Sequence, residues 1–466
     1  MTTLSAATTP AKAAAISKAT TAILTGPIVP VMLKLALPTI AVLVVQTLVG
    51  VLETYFVSSL GAAVLAGVSV VFPLLMLMQM MANGGIGSGL SAAIARAIGA
   101  GDAQQAQALL WHGVLIALIA GLLFAAVLLA AGPALYQKIG LSGPALTAAL
   151  TYSNLVFSSS PLIWLVALLS AALRGAGDTR TPARITLAGA AMLLPLSPLL
   201  IFGWGPLPAM GVAGAGMAIV VYYLLAALFL VRQMRRQNSI LHLTTRALSS
   251  HLFKDILGVG LLASIGTVQI NLTVLIVTAT VGHFGPGAIA GFGIASRLEY
   301  IQVPLLFGLG TAIMTMVGIN LGAGQIQRAR RISWIGAGIA FAFTSALGLV
   351  VALAPQLWLN LFSDEPQVLL AGKQYLQHIA PFYGFIGAGM ALYFAAIAMK
   401  RILWPVLAGT MRMIIAACGG WLAVSYFAAG MTTLFSILAL GAVVYWAITL
   451  ASIWLIGRTA RLHPSQ

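Results

Sequence analysis

The stretch LPTIAVLVVQTLVGVLETYFVSSLG, residues 37–61, consists almost entirely of apolar side chains. From Val29 to Leu60 the only charged residues are Lys34 and Glu53. A helix needs about 20 apolar residues to cross the hydrocarbon core of a bilayer. We therefore predict a transmembrane helix here. Glu53 lies too deep in it to reach the interface that Lys34 can reach, so its carboxylate needs a partner, a water-filled cavity or a proton.

The remaining sequence has the same character. The 466 residues are 61% hydrophobic and 6% charged, whereas about 25% of a soluble domain is charged. Long apolar runs favour helices over the short alternating segments of a membrane β-barrel. The single Cys418 excludes an internal disulfide. We predict an all-α integral membrane protein with twelve transmembrane helices, at about 31–57, 68–95, 108–132, 146–173, 183–204, 211–231, 258–282, 288–319, 332–354, 370–399, 404–428 and 432–457.

The net charge of +16 follows this topology. Twelve spans place both termini on one side of the membrane. By our assignment 20 of the 23 Lys and Arg residues, Arg412 among them, lie on that side, and only Lys138, Arg297 and Lys373 lie on the other. Cytoplasmic loops carry such an excess of basic residues. We therefore expect cytoplasmic termini, and lipid headgroups rather than nucleic acid as the partner of the basic charge.

The two halves of the chain resemble each other at an offset of about 223 residues. IGAGDAQQAQALLWHG (98–113) aligns with LGAGQIQRARRISWIG (321–336). In the same register the following pairs match: Gln46 with Gln269, Tyr152 with Tyr375, and Pro182 with Pro405. Six spans in each half give both halves the same orientation, which predicts two six-helix lobes related by a parallel internal repeat. In secondary transporters with such repeats, the substrate site lies between the halves.

This repeat divides the chain into five predicted segments. They are a disordered cytoplasmic tail (1–27), an N-lobe (28–231), a polar and basic cytoplasmic linker carrying a surface helix (232–257), a C-lobe (258–458) and a second cytoplasmic tail (459–466).

Three segments carry a resemblance to a known family: LPTIAVLVVQTLVGVLETYFVSSLGAAVLAG (37–67), IARAIGAGDAQQA (94–106) and LRGAGDTRTP (173–182). They resemble bacterial MATE (multidrug and toxic compound extrusion) transporters, and the resemblance extends over the chain from about residue 27. It implies two lobes in a V, alternating access, and export of small organic molecules, usually cations, driven by inward flow of H⁺ or Na⁺. It also implies a monomer in the cell inner membrane that uses no cofactor.

The sequence departs from the family at the positions that bind the coupling ion. Where relatives usually have Asp in a V-D-T pattern, this chain has Glu53 in L-E-T. The Asn and Asp that many relatives carry on the fifth helix align with Leu193 and Ser197, and an acid on the seventh helix of one branch aligns with Gln269. Too few oxygen ligands remain for a Na⁺ cage. We expect Glu53 to couple protons, with no metal site, and keep Na⁺ coupling as the alternative.

Several other residues within the predicted spans are candidates for the site. Glu299 is a possible second acid, although an ion pair with Arg297 would explain it equally well. Four uncharged polar residues are candidates for lining the central cavity, and ordinary interhelical hydrogen bonds are the alternative explanation; they are Gln46, Gln269, Asn271 and Asn83. Pro38 shares a helix with Glu53 and either bends during transport or fixes a static kink.

Other functional classes fit the sequence less well. The chain has no HExxH motif, no paired catalytic carboxylates and no phosphate-binding loop, so we predict that it is not an enzyme. A flippase of lipid-linked precursors, from the same superfamily, would have an Arg-rich cavity and usually fourteen spans. In our assignment Arg avoids the spans. A secondary active antiporter is the prediction, and a lipid flippase remains its alternative.

Overall fold

The computed structural model describes residues 18–204, 208–236 and 239–462. The expectations for residues 1–17 and 463–466 lie outside this range. Within it, eleven helices are long and apolar enough to cross a membrane, and a helix pair bent by 47° makes a twelfth span. The predicted all-helical fold with twelve spans is confirmed.

The twelve spanning helices, labelled α1 to α12, begin and end within a few residues of the predicted bounds. They are α1 Ile28–Ser58, α2 Ala62–Gly99, α3 Ala103–Lys138, α4 formed by Gly143–Ser158 and Ser160–Gly175, α5 Arg180–Phe202, α6 Val212–Met234, α7 Ser250–Phe284, α8 Pro286–Gly322, α9 Ile326–Leu353, α10 Pro366–Ala398, α11 Leu403–Phe427 and α12 Met431–Leu462. The bend in α4 falls at Ser159, and Pro161, the second residue of the second half, cannot donate a backbone hydrogen bond to the first half.

The two lobes, α1–α6 and α7–α12, have the same internal packing. In each lobe the first helix packs against the fifth, the second against the fourth, and the fifth against the sixth. Because six helices separate equivalent elements, the lobes run in the same direction through the bundle. The structure thus contains the parallel repeat that the 223-residue offset predicts.

The lobes meet at the end of the bundle that carries the linker between α6 and α7, which we call the linker end. There Arg96 of α2 donates to Asp255 of α7 over 3.0 Å and to the carbonyl oxygen of Ala398 over 3.0 Å. Lys400 also contacts Asp255, with 2.6 Å between Nζ and Oδ1. Thr315 of α8 donates to the carbonyl oxygen of Arg174 over 3.0 Å. These bonds close the linker end.

Glycines let the two lobes approach each other closely in the same region. Gly89 of α2 lies against the backbone of Ile256 and Gly260, and a Cβ at Gly260 would lie 2.7 Å from Cα of Ile86. Towards the middle of the bundle, Asn271 Nδ2 lies 3.7 Å from the sulfur of Met80. In the described part of the chain, no hydrogen bond between the lobes lies nearer to the opposite end. The described hydrogen bonds between the lobes therefore lie at the linker end and in the middle of the bundle.

The segment just before α1 differs from the prediction. Residues 18–25, expected to belong to a disordered tail, form the helix Lys18–Thr25. Ile23 is buried, and its carbonyl oxygen accepts hydrogen bonds from Asn320 and Arg328 of the C-lobe. Its side chain also lies against Gly177 of the N-lobe. The Ala/Thr/Ser-rich composition resembles that of disordered tails. The helix Lys18–Thr25 nevertheless forms, because Ile23 packs between the two lobes.

The linker is shorter than predicted and contains no helix over residues 239–249. Instead α6 continues to Met234 and α7 begins at Ser250, so parts of the predicted range 232–257 are helical. The backbone N–H of Ser249 donates to Nε2 of His112 over 2.9 Å, and Arg246 donates to Gln107 over 2.6 Å. Leu241 is buried. These contacts hold residues 239–249 against the N-lobe in a non-helical conformation, in place of the predicted surface helix.

Candidate functional site

The N-lobe holds one acid within its interior, Glu53 of α1. Its Oε2 accepts a hydrogen bond of 2.8 Å from Oγ of Ser197, which is fully buried on α5. Its Oε1 is buried and has no hydrogen-bond partner among the described residues. Leu193, one turn before Ser197, is also buried and offers no polar atom. The α5 positions singled out by the family alignment thus belong to the surroundings of Glu53.

Tyrosines extend this polar region across the N-lobe. Tyr152 of α4 lies close enough to Glu53 for electrostatic interaction, and Tyr223 of α6 lies similarly close to Tyr152. Gln79 of α2 donates to the Tyr223 hydroxyl over 3.1 Å. A line of polar side chains therefore connects α1 with α2 through the interior of the lobe. Tyr152 was visible in the sequence only through its match with Tyr375.

Two of the residues proposed to line the cavity are equivalent in the repeat but differ in exposure. Gln46 is exposed on α1, two turns before Glu53, and lies within hydrogen-bonding reach of Tyr222. Gln269 is buried on α7 and donates to Oγ1 of Thr410 over 2.7 Å. Gln46 therefore interacts with the sixth helix of its lobe, and Gln269 with the fifth. Whether they contact a substrate stays a prediction.

Asn83 and Asn271 lie near the seam between the lobes. Asn83 donates to the carbonyl oxygen of Gln79 over 3.2 Å, inside a π-helical turn of α2. Asn271 is exposed and donates to the carbonyl oxygen of Thr267 over 2.8 Å, besides its contact with Met80. Both amides satisfy one donor on their own helix and leave further polar atoms for other partners.

Pro38 lies within α1, which continues without interruption from Ile28 to Ser58. Because proline has no N–H, the carbonyl oxygen of Lys34 loses its helical partner. Two residues later, Ile40 packs against Gly308 of α8. Pro38 therefore weakens α1 near a place where it touches the other lobe, while Glu53 lies fifteen residues further along.

The C-lobe holds the second acid, Glu299 of α8, whose Oε1 accepts a hydrogen bond from the Tyr375 hydroxyl. Tyr383 also lies close to it. The ion pair with Arg297 considered as an alternative does not form: Arg297 is exposed, and the salt bridges of the described residues all involve Asp255. Tyr375 thus donates a hydrogen bond to Glu299, as Ser197 does to Glu53.

Arg412 corrects the assignment of basic residues made from the sequence. It was counted with the cations at the linker side, but it lies nine residues into α11, counted from Leu403. At 1.5 Å per residue this is about 14 Å along the helix. Its Cγ lies 3.6 Å from where a Cβ at Gly441 would be, and it interacts electrostatically with Tyr375 and Tyr445. The statement that Arg avoids the spans is therefore wrong at this position.

Glu53 and Ser197 supply the oxygen atoms that meet at this site. One carboxylate and one hydroxyl point at each other, and Leu193 supplies no oxygen. Hard cations are bound by several oxygen ligands, and Ca²⁺ takes about six to eight of them. Among the described residues, no three His, Cys, Asp or Glu side chains are grouped as metal ligands would be.

Comparisons with known proteins agree with this architecture. The MatE family model matches residues 38–199 and 263–422, one segment in each lobe. The "FAD transporter" of Shewanella oneidensis is 28% identical over 404 residues, which cover 84% of this chain and 87% of that protein. The "Probable multidrug resistance protein NorM" of Thermotoga maritima is 28% identical over 361 residues, or 76% of each chain. The "Multidrug export protein MepA" of Staphylococcus aureus is 21% identical over 348 residues, covering 74% of this chain and 76% of that protein.

Solved structures share the fold. A crystal structure of MATE in the bent conformation superposes with a TM-score of 0.88 at 22% identity, covering 96% of this chain and 99% of that one. An outward-facing multidrug resistance MATE family transporter gives 0.83 at 23% identity, covering 95% and 98%. The family model matches most of both lobes. The chain belongs to the MatE family of membrane transporters.

Proposed function

We propose that this chain is a secondary active antiporter that exports small organic molecules through the cell inner membrane in exchange for protons. The observation that carries the proposal is the isolated carboxyl of Glu53, which shares one hydrogen bond with Ser197 and has a second, buried oxygen without a partner. Such a group can exist in two protonation states within one lobe. The export direction follows from the family and from the multidrug relatives.

The chemistry of Glu53 offers a means of coupling. A carboxylate only accepts hydrogen bonds, whereas a protonated carboxyl also donates one. With its proton, Glu53 can donate to a neighbour such as the hydroxyl of Ser197, whose own hydrogen then has to turn elsewhere. A proton shifts the equilibrium between two conformations only by its difference in affinity for them. A tenfold difference supplies about 1.4 kcal/mol.

The direction of the cycle rests on the proposed topology. The basic residues favour a cytoplasmic linker end, where Arg96, Asp255 and Lys400 join the lobes. The described arrangement is then open to the outside and closed to the cytoplasm. Protons would reach Glu53 from outside, near the α1 end at Ser58. Export requires the linker-end contacts to break so that substrate can enter from the cytoplasm.

The proposal favours H⁺ over Na⁺ because of the donor atoms, as described above. We also propose a monomer without cofactor, since each polar cluster is built within one lobe of a single chain. Organic cations and amphipathic compounds are the cargo that the multidrug relatives suggest. A second candidate is a flavin nucleotide, because one of the relatives, at 28% identity, is named for FAD transport. A lipid flippase would require a lipid-sized substrate to leave the cleft sideways.

Transport in proteoliposomes under an imposed pH or Na⁺ gradient tests this function. The cargo would be ethidium, a cation, and flavin mononucleotide (FMN), an anion. We expect at least one dye to move with a pH gradient and not with a Na⁺ gradient when the pH gradient is collapsed. Glu53→Gln should reduce this movement to background, and Glu53→Asp should retain part of it.

The matched control is Glu365→Gln, which removes an acid exposed on a loop, and it should transport as the wild type does. Robust efflux driven by Na⁺ alone would contradict the coupling ion. If neither gradient moved either dye, the export function itself would be wrong.

A further inference from the structure

Arg412 lies within a span, and no described acid neutralises its charge. In the described part of the chain it makes no salt bridge, and no hydrogen bond involves its side chain. None of its nitrogens is among the buried polar atoms without partners, so they remain accessible. An ionisable side chain within a membrane span is costly and normally faces a partner or a water-filled cavity.

Arg412 faces the interior of the C-lobe rather than lipid. Ile414, two residues later and on the opposite side of α11, is exposed, whereas Ala408 and Ala416, four residues to either side of Arg412, are buried. Its stem packs on α12 at Gly441. The guanidinium therefore points among α10, α11 and α12 and not into the bilayer.

Glu299 does not form an ion pair with Arg412. The Tyr375 hydroxyl donates to Glu299, and the same tyrosine interacts electrostatically with Arg412. The acid and the guanidinium are nevertheless further apart than an ion pair, since no salt bridge joins them. Arg412 keeps its hydrogen-bond donors available for another anion.

Tyrosines connect Arg412 with the seam between the lobes. Tyr445 interacts with Arg412 and also with Tyr393 of α10. The Tyr393 hydroxyl lies 3.6 Å from where a Cβ at Gly266 of α7 would be. Two residues earlier and on the opposite side of α7, Ser264 packs against Gly85 of the N-lobe. A series of tyrosine contacts thus connects Arg412 with α7, whose other side packs on the N-lobe.

We propose that Arg412 is a specificity-determining residue of the C-lobe that binds an acidic group, phosphate or carboxylate, on the exported organic molecule. Guanidinium binds such planar or tetrahedral oxyanions with paired hydrogen bonds, and the tyrosine rings accept an aromatic body next to them. This inference rests on the proposed export function and narrows its substrate to molecules with an acidic group, whatever their remaining charge.

Two flavins that differ only by a phosphate test this proposal without any gradient. Riboflavin and FMN share the same fluorescent ring, so the difference between their affinities, measured by fluorescence titration of the purified protein, reports the contribution of the phosphate. We expect the wild type to bind FMN at least tenfold more tightly than riboflavin. Arg412→Gln should bring the two affinities within about twofold of each other, and Arg412→Lys should keep an intermediate preference because it keeps the charge.

Arg297→Gln is the matched control, since it removes an exposed cation of the same lobe, and it should leave the FMN preference unchanged. Equal binding of both flavins by the wild type would overturn the proposal, and so would a preference that survives Arg412→Gln. A third arm adds phosphatidylglycerol to phosphatidylcholine nanodiscs. Displacement of FMN by this lipid would assign the site to a lipid headgroup and contradict a solute site. Because binding needs no gradient, a failure of proton coupling leaves the outcome readable.

Discussion

The two lobes share a repeat but have different polar interiors. Tyr152 and Tyr375 are equivalent positions, and each lies beside the acid of its own lobe, Glu53 or Glu299. The acids themselves are not equivalent: Glu53 comes from the first helix of its lobe and Glu299 from the second. The two lobes therefore share the tyrosine and the helix packing, but the acidic residue lies on a different helix in each lobe.

The basic residue sharpens this contrast. At the 223-residue offset, Arg412 is equivalent to Gly189, and Tyr445 to Tyr222. In the N-lobe the ring of Tyr222 packs directly on Gly189, which leaves no room for a side chain. In the C-lobe the same place is filled by a guanidinium beside the tyrosine. The N-lobe thus holds an acid with one buried oxygen that has no partner among the described residues, and the C-lobe holds an acid and a guanidinium that form no ion pair with each other.

The largest difference between the lobes should appear in coupling. Glu299→Gln keeps an oxygen that can accept from Tyr375, so we expect pH-driven transport to stay within about threefold of the wild type. Glu53→Gln should abolish it. The measurement is dye movement in proteoliposomes under the same pH gradient. An equal loss in both variants would show that the lobes share the proton and would break the contrast.

A smaller difference should appear in stability. Tyr375→Phe removes the only described hydrogen-bond donor to Glu299, which should cost about 1 kcal/mol. Tyr152→Phe, the equivalent change, removes no hydrogen bond to Glu53, since Ser197 makes that bond. We expect a clear drop in the thermal unfolding midpoint in detergent for Tyr375→Phe only. Equal drops would mean that the two tyrosines have the same role.

The fold was predictable from the sequence because the spans are long and solidly apolar. The offset between the halves also predicts the parallel repeat. Alignment with the family points to Ser197, which contacts Glu53 in the structure. These signals depend on composition and register, which the chain displays directly. Hydropathy alone was enough to assign α1, with Glu53 as its exception.

Other parts of the site could not be predicted for physical reasons. Arg412 was grouped with the linker-side cations because it lies near one end of its predicted span, 404–428, and nothing in the sequence shows which way a single helix face turns. The helix Lys18–Thr25 forms because the lobes offer it a groove, which is a tertiary effect. Tyrosines within apolar spans have no distinctive spacing, so Tyr223 carried no signal, and Tyr445 was marked only by its match with Tyr222 in the repeat.

The central claim is that Glu53 carries the exchanged proton, and the most direct test is proton release when substrate binds. Purified protein in a weakly buffered solution would receive ethidium or FMN, whichever it binds, while a pH-sensitive dye records protons. The wild type should release up to about one proton per molecule, since one carboxyl gives up its proton as the other conformation is favoured. Glu53→Gln should bind the same dye and release none. Undiminished release from Glu53→Gln would contradict the account and place the proton on another group.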